Sequence, residues 1–191
     1  MSRRQKAKEN LIATLGVAFL PAISVVNEKE KRTLEALVIT PTTIGDVFAA
    51  KGLLGIILSL VMGVVILVLN QAFGAEPALS MLVLVLGAIM AAEIGLLLGV
   101  LVNKTTSLFA VVKFGGLLLY APAFVYLFPQ IPEWIGRIFP TYYAIQPIVE
   151  ISLRGGGWPE IAINVFILAG LDLVLIVAIM LALRRTKQYA V

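Results

Sequence analysis

Residues 78–102 read ALSMLVLVLGAIMAAEIGLLLGVLV, an apolar run broken by a single charge, Glu93. Such a run is longer than the about 20 residues a helix needs to cross a bilayer. Working outward, four more apolar segments appear: Leu11 to Val26, Gly52 to Phe73, Leu108 to Phe128 and Ile161 to Leu183. The first is short, contains Pro21, and reaches spanning length only by recruiting the flank from Lys8 or Glu9. Across all 191 residues, 60% are apolar, 14% are charged and the mean hydropathy is +1.02, which excludes a water-soluble fold. The expected fold is all-α: one polytopic integral membrane domain over 1–191, with about five transmembrane helices near 9–26, 52–73, 78–102, 108–128 and 161–183. No length remains for a soluble catalytic domain.

The chain has no cysteine and no histidine, so disulfides, thiolate nucleophiles, haem ligation and the usual zinc sites are excluded. It contains no Gly-x4-Gly-Lys-Ser/Thr phosphate-binding loop and no paired-carboxylate motif at a shared depth, which argues against a membrane-embedded enzyme. A net charge of +4 is too small and scattered for a nucleic-acid partner, but its distribution orients the chain. Lys29, Lys31, Arg32 and Lys51 lie between the first two segments, Lys104 between the third and fourth, and Arg184, Arg185 and Lys187 after the last. The remaining loops carry Arg137 and Arg154 against Glu76, Glu133, Glu150 and Glu160. The positive-inside rule therefore predicts a cytoplasmic C-terminus. The basic start, Arg3, Arg4, Lys6 and Lys8, conflicts with this if the first segment crosses fully. Either an original first helix is missing or the segment is re-entrant. A cleaved signal peptide fits poorly, because no small-x-small site follows the apolar run.

Between Asn27 and Lys51 the pattern changes. Glu28 is spaced to pair with Lys31 and Arg32, and these with Glu35, on a helix whose apolar stripe is Leu34, Leu37 and Val38. Pro41 ends that helix, and Thr43 with Asp46 offers a capping box for the next. An amphipathic run of this kind can simply rest on lipid headgroups. The residues themselves, however, Glu28-Lys29-Glu30-Lys31-Arg32-Thr33-Leu34-Glu35-Ala36-Leu37, then Ile39-Thr40-Pro41, Gly45 and Lys51-Gly52, resemble the signature of type-2 permeases of ATP-binding-cassette exporters. The sequence departs from that signature at Lys31-Arg32, where the family often has Arg-Gly, and at Lys51-Gly52, where the order is reversed.

The resemblance implies that 28–40 is a coupling helix docking in a groove of a separate cytoplasmic ATPase, with Glu28, Glu30, Arg32, Thr33, Leu34, Glu35 and Pro41 as its coupling residues. It further implies ATP and Mg on that ATPase with no cofactor on this chain, a second permease subunit as homodimer or heterodimer, and a multi-pass place in the plasma membrane. Family members usually have six spans, and the resemblance runs from the second to the end, which accounts for the awkward basic start. The expected function is export driven by ATP hydrolysed elsewhere. The alternative is a truncated or non-transporting membrane anchor.

A second resemblance to the family lies in the outer hairpin, 129–157, through Ile131-Pro132-Glu133-Trp134-Ile135 and Phe139-Pro140-Thr141-Tyr142-Tyr143-Ala144. Trp134, Pro140, Tyr142 and Tyr143 there suit a broken, re-entrant interfacial hairpin, either as an aromatic belt or as a substrate gate. Gly155, Gly156 and Gly157 supply a turn into the last span. Within the spans, Glu93, Lys113 and Asp172 each need a partner, a proton or water. At about 1.5 Å per residue, Glu93 and Asp172 fall near mid-depth and Lys113 is shallower. They are either a structural ion pair, with Lys113 meeting Glu93, or part of a polar path. Gly87, Ala91, Gly95 and Gly99 form a small-residue stripe for close helix packing, inside the subunit or across a dimer, with Glu93 on the opposite side.

Overall fold

The computed structural model describes residues 20–31, 44–119, 121–128 and 130–188, and among these every regular element is helical. The order is α1 (Leu20–Glu30), α2 (Ile44–Leu69), α3 (Pro77–Leu101), α4 (Thr105–Leu119), α5 (Ala121–Leu127), α6 (Glu133–Gly136), α7 (Tyr142–Val149), a π-helical segment (Glu150–Arg154) and α8 (Trp158–Gln188). Four stretches are long and apolar enough to cross a membrane: Gly45–Leu69, Pro77–Leu101, Thr105–Tyr126 and Trp158–Arg184. The expected first span lies mostly outside the described residues, as does the coupling segment beyond Lys31. Glu28 and Glu30 belong to the last turn of α1 rather than opening a separate helix.

Several helix ends differ from the apolar runs. α2 begins at Ile44 rather than Gly52, because its amphipathic first turns, with Asp46 near the helix N-terminus, continue the helix past the apolar run. It stops at Leu69, short of Phe73, where Asn70 turns its side-chain amide back onto the Ile66 carbonyl at 2.8 Å and Gln71 takes φ +53°. α8 likewise extends beyond both ends of its apolar run, from Trp158 to Gln188.

α3 is the central helix. It packs against α1, α2, α7 and α8, and its residues join two apolar clusters. At one end of the molecule Val25, Phe48, Leu96, Val100 and Ile179 draw α1, α2, α3 and α8 together. At the other, Val83, Ile151, Ile161 and Val165 join α3 and α8 to the π-helical segment. A third cluster, Ala22, Val26 and Leu108, wedges α1 between α3 and α4. We call the α1 end the junction end and the other the hairpin end. Large apolar side chains on α2 and α8, such as Leu53, Ile57, Val61, Ile163, Phe166 and Leu173, remain exposed, as lipid-facing surfaces require.

Candidate functional site

The last turn of α1 carries a polar residue toward each neighbouring helix. Glu28 forms an ion pair with Lys51 of α2 at 2.7 Å, and the same ammonium donates to Ser24 Oγ at 2.6 Å. Lys29 donates to the Val100 carbonyl at 2.6 Å, at the C-terminal end of α3, where unpaired carbonyls and the helix dipole favour a cation. Partial burial lowers the Lys29 ammonium below its ordinary value. Glu30 accepts from the Thr105 amide at 3.1 Å and from the Thr105 hydroxyl, and so caps the N-terminus of α4. Asn27 Oδ1 lies 3.2 Å from the same hydroxyl. Beneath this polar layer Val25 approaches Gly99 so closely that an added Cβ there would sit 3.0 Å from the Val25 Cβ. One short helical turn thus holds three longer helices at one end.

The donation from Thr105 lowers the Glu30 carboxyl below its ordinary value of 4.5. A depressed carboxylate contributes its contact fully above the unfolded value and loses it as pH falls through the folded one. Hydrogen exchange at the Thr105 amide, corrected for intrinsic rate, should therefore stay protected at and above pH 4.5 and lose protection only at lower pH. Glu30→Gln should remove that pH dependence.

Of the other expected coupling residues, Arg32, Thr33, Leu34, Glu35 and Pro41 lie outside the described residues. Thr105, Asn27 and Ser24 were not legible as functional. Thr105 follows Asn103 and Lys104 at the mouth of a span, and a capping-type residue at that position is the one signal the sequence offers.

Deeper in the bundle Glu93 of α3 and Asp172 of α8 are both buried, each 5% exposed and within electrostatic range, with no hydrogen bond between them. Lys113 does not meet Glu93: it is exposed on α4, whose inward face, Leu108 and Val112, goes to α1 and the junction end of α3. The small-residue stripe divides. Gly99 packs on α1, Gly87 lies beside Ala144 of α7 with room for a Cβ 3.5 Å away, Ala91 and Gly87 line an apolar cleft facing Ser59 and Met62 of α2, and Gly95 is buried.

At the hairpin end the aromatic residues also separate. Trp134 is exposed, Tyr143 and Pro140 are half-buried, and Tyr142 is 2% exposed and acts as an internal brace. The Tyr142 hydroxyl donates to Glu133, its ring leaves no space for a side chain at Gly136, and Tyr143 packs edge-on against it at 5.4 Å. Burial, then the bond to Glu133, raises the Tyr142 phenol above its ordinary value. Tyr143 donates to the Arg137 carbonyl at 3.0 Å, and Asn164 of α8 donates to Gln146 of α7 at 2.6 Å. Ser152 donates to the Ala72 carbonyl, and Ser80 to that of Phe73 at 2.8 Å, so the α2–α3 turn is clamped to the π-helical segment.

Residues 10–182 match the model of a family described as Rv2686c-like, "Fluoroquinolones export permease protein Rv2686c-like". No curated protein and no solved structure matches the chain.

Proposed function

The chain belongs to the Rv2686c-like family of export permeases, of the type-2 ATP-binding-cassette class, and from that premise we propose that it is the membrane-spanning subunit of an exporter driven by ATP hydrolysed on a separate subunit. In this reading the junction end faces the cytoplasm, together with the C-terminus, and the hairpin end faces outward as a re-entrant cap. The segment 28–40 docks on the ATPase. The first segment completes a set of five spans, two permease subunits form the path in the plasma membrane, and ATP and Mg bind only to the partner. The family description makes fluoroquinolone-class compounds the first substrates to test.

The observation that carries the reading is the last turn of α1. It contains the start of the proposed docking segment and is hydrogen-bonded or ion-paired to α2, α3 and α4 at once. A displacement of that segment would be delivered to three helices as a rigid-body motion rather than absorbed by a loop.

The test is ATPase stimulation in proteoliposomes that contain the chain and its ATPase. Glu28→Ala and Glu35→Ala should each lower substrate-stimulated turnover about tenfold, equivalent to about 1.4 kcal/mol of coupling, while the spans stay folded. Full stimulation in the double variant would sink the coupling assignment, and no stimulation by the unaltered chain would identify a non-transporting anchor.

A further inference from the structure

Among the described residues, no cation pairs with the buried carboxyl groups of Glu93 and Asp172. Glu93 Oε2 and both carboxylate oxygens of Asp172 are buried with no hydrogen-bond partner. Among the described residues the ion pairs are Lys51–Glu28, Arg137–Glu133 and Arg154–Glu150, so neither acid has a cation. Apolar clusters lie above and below them on the same interface. Val83, Ile161 and Val165 separate the pair from the hairpin end, and Leu96, Val100 and Ile179 separate it from the junction end.

The charged and titratable groups on the packed elements sit at the two ends, Asp46 and Lys51 on α2, Glu28, Lys29 and Glu30 on α1, Tyr142 and Tyr143 on α7, Glu150 and Arg154 on the π-helical segment, and Glu160 and Arg184 on α8, while Lys113 on α4 is exposed. Lys51 and Lys29 are already engaged at the junction by Glu28, Ser24 and the Val100 carbonyl.

Two buried carboxylates with neither a cation nor a hydrogen-bond partner for these oxygens among the described residues are disfavoured in their ionised forms, because each has lost its hydration. A metal ion does not resolve this. Calcium takes 6–8 oxygen ligands, and among the described residues no group of three or more acidic, histidine or cysteine side chains converges. What suits a carboxyl group buried in an apolar interface without a partner among the described residues is its neutral, protonated form.

We propose that Glu93 and Asp172 form an occluded proton-binding site, holding proton in the closed state and releasing it to water when α3 and α8 separate. Linkage fixes the sign: the closed state binds protons more tightly than the open one, so acid favours closure and alkali favours opening. The site is independent of the export reading, since its test needs neither ATPase nor substrate.

The chain has no cysteine, so two spin labels can be placed without background. Leu82→Cys on α3 and Ile163→Cys on α8 use exposed positions near the hairpin end. In lipid nanodiscs the interlabel distance should lengthen as pH rises, and Glu93→Gln with Asp172→Asn, which imitates the protonated pair, should hold the short distance at every pH. An unchanging distance in the parent, or an equal shift in the carboxamide variant, overturns the proposal. The infrared carbonyl band of a protonated carboxyl group should be present at neutral pH in the unaltered chain and weaken in each single variant. Its absence in the unaltered chain also overturns the proposal.

Discussion

Gly74→Ala is expected to lower stability by about 2–5 kcal/mol, the sum of a left-handed backbone penalty and an overpacking penalty. Gly74 has φ +67°, where a residue with a Cβ is strained. A Cβ there would also collide with the Ile151 carbonyl oxygen and lie 2.8 Å from its carbon. Those are backbone atoms of the π-helical segment, so no rotamer change relieves the clash. The turn cannot retreat either, because Ala72 and Phe73 on one side of Gly74 accept hydrogen bonds from Ser152 and Ser80. Gly155→Ala separates the two contributions. Gly155 shares the left-handed conformation at φ +69°, but an added Cβ meets nothing within 4 Å, so only about 1–2 kcal/mol should be lost. Unfolding in detergent with increasing denaturant should rank unaltered chain, Gly155→Ala, Gly74→Ala. Equal midpoints for the two variants would show that the turn is not held against the π-helical segment.

Lys51→Glu should be the most disruptive single change at the junction end. Breaking a fully buried ion pair costs about 3–5 kcal/mol. Here the side chains are 14% and 30% exposed, so we expect about 2–3 kcal/mol after discounting for solvent screening. The substitution also sets two carboxylates against each other beneath the turn that holds α1. Exchanging the charges, Lys51→Glu with Glu28→Lys, should recover most of the loss, since a carboxylate on α2 can still accept from the Ser24 hydroxyl. The interaction energy from the double-mutant cycle is the measurement. Additive losses would mean that the pair is a bystander to α1 docking.

Four of the expected spans were legible because hydropathy alone specifies them, with no need to know which helix touches which. Their ends were less so. From Ile44 to Lys51 the sequence mixes charges with apolar residues, and whether it continues a helix depends on Phe48 finding the cluster with Val25 and Ile179, a tertiary fact. Glu93, Lys113 and Asp172 each stood out as charges inside apolar runs, yet their pairing depends on how α3, α4 and α8 are rotated about their axes. That rotation places Lys113 at the surface and the two acids together. Thr105 and Asn27 were invisible for a different reason. Polar residues are ordinary at span ends, and only the fold brings Asn27 and Glu30 to the start of α4.

The contacts that hold α1 to α3 and α4 join residues 71 to 78 positions apart in the chain: Lys29 to Val100, Glu30 to Thr105 and Asn27 to Thr105. At a synthesis rate of about 5–20 residues per second, α1 emerges roughly 4–15 s before the helices that secure it exist. During that interval its three charged or amide-bearing termini have only water, lipid headgroups or a chaperone to satisfy them. Glu28 and Ser24 of α1 can meet Lys51 of α2 early, but the docking of α1 on α3 and α4 is a later event in biogenesis, one that must wait for the end of α3 and the opening turn of α4.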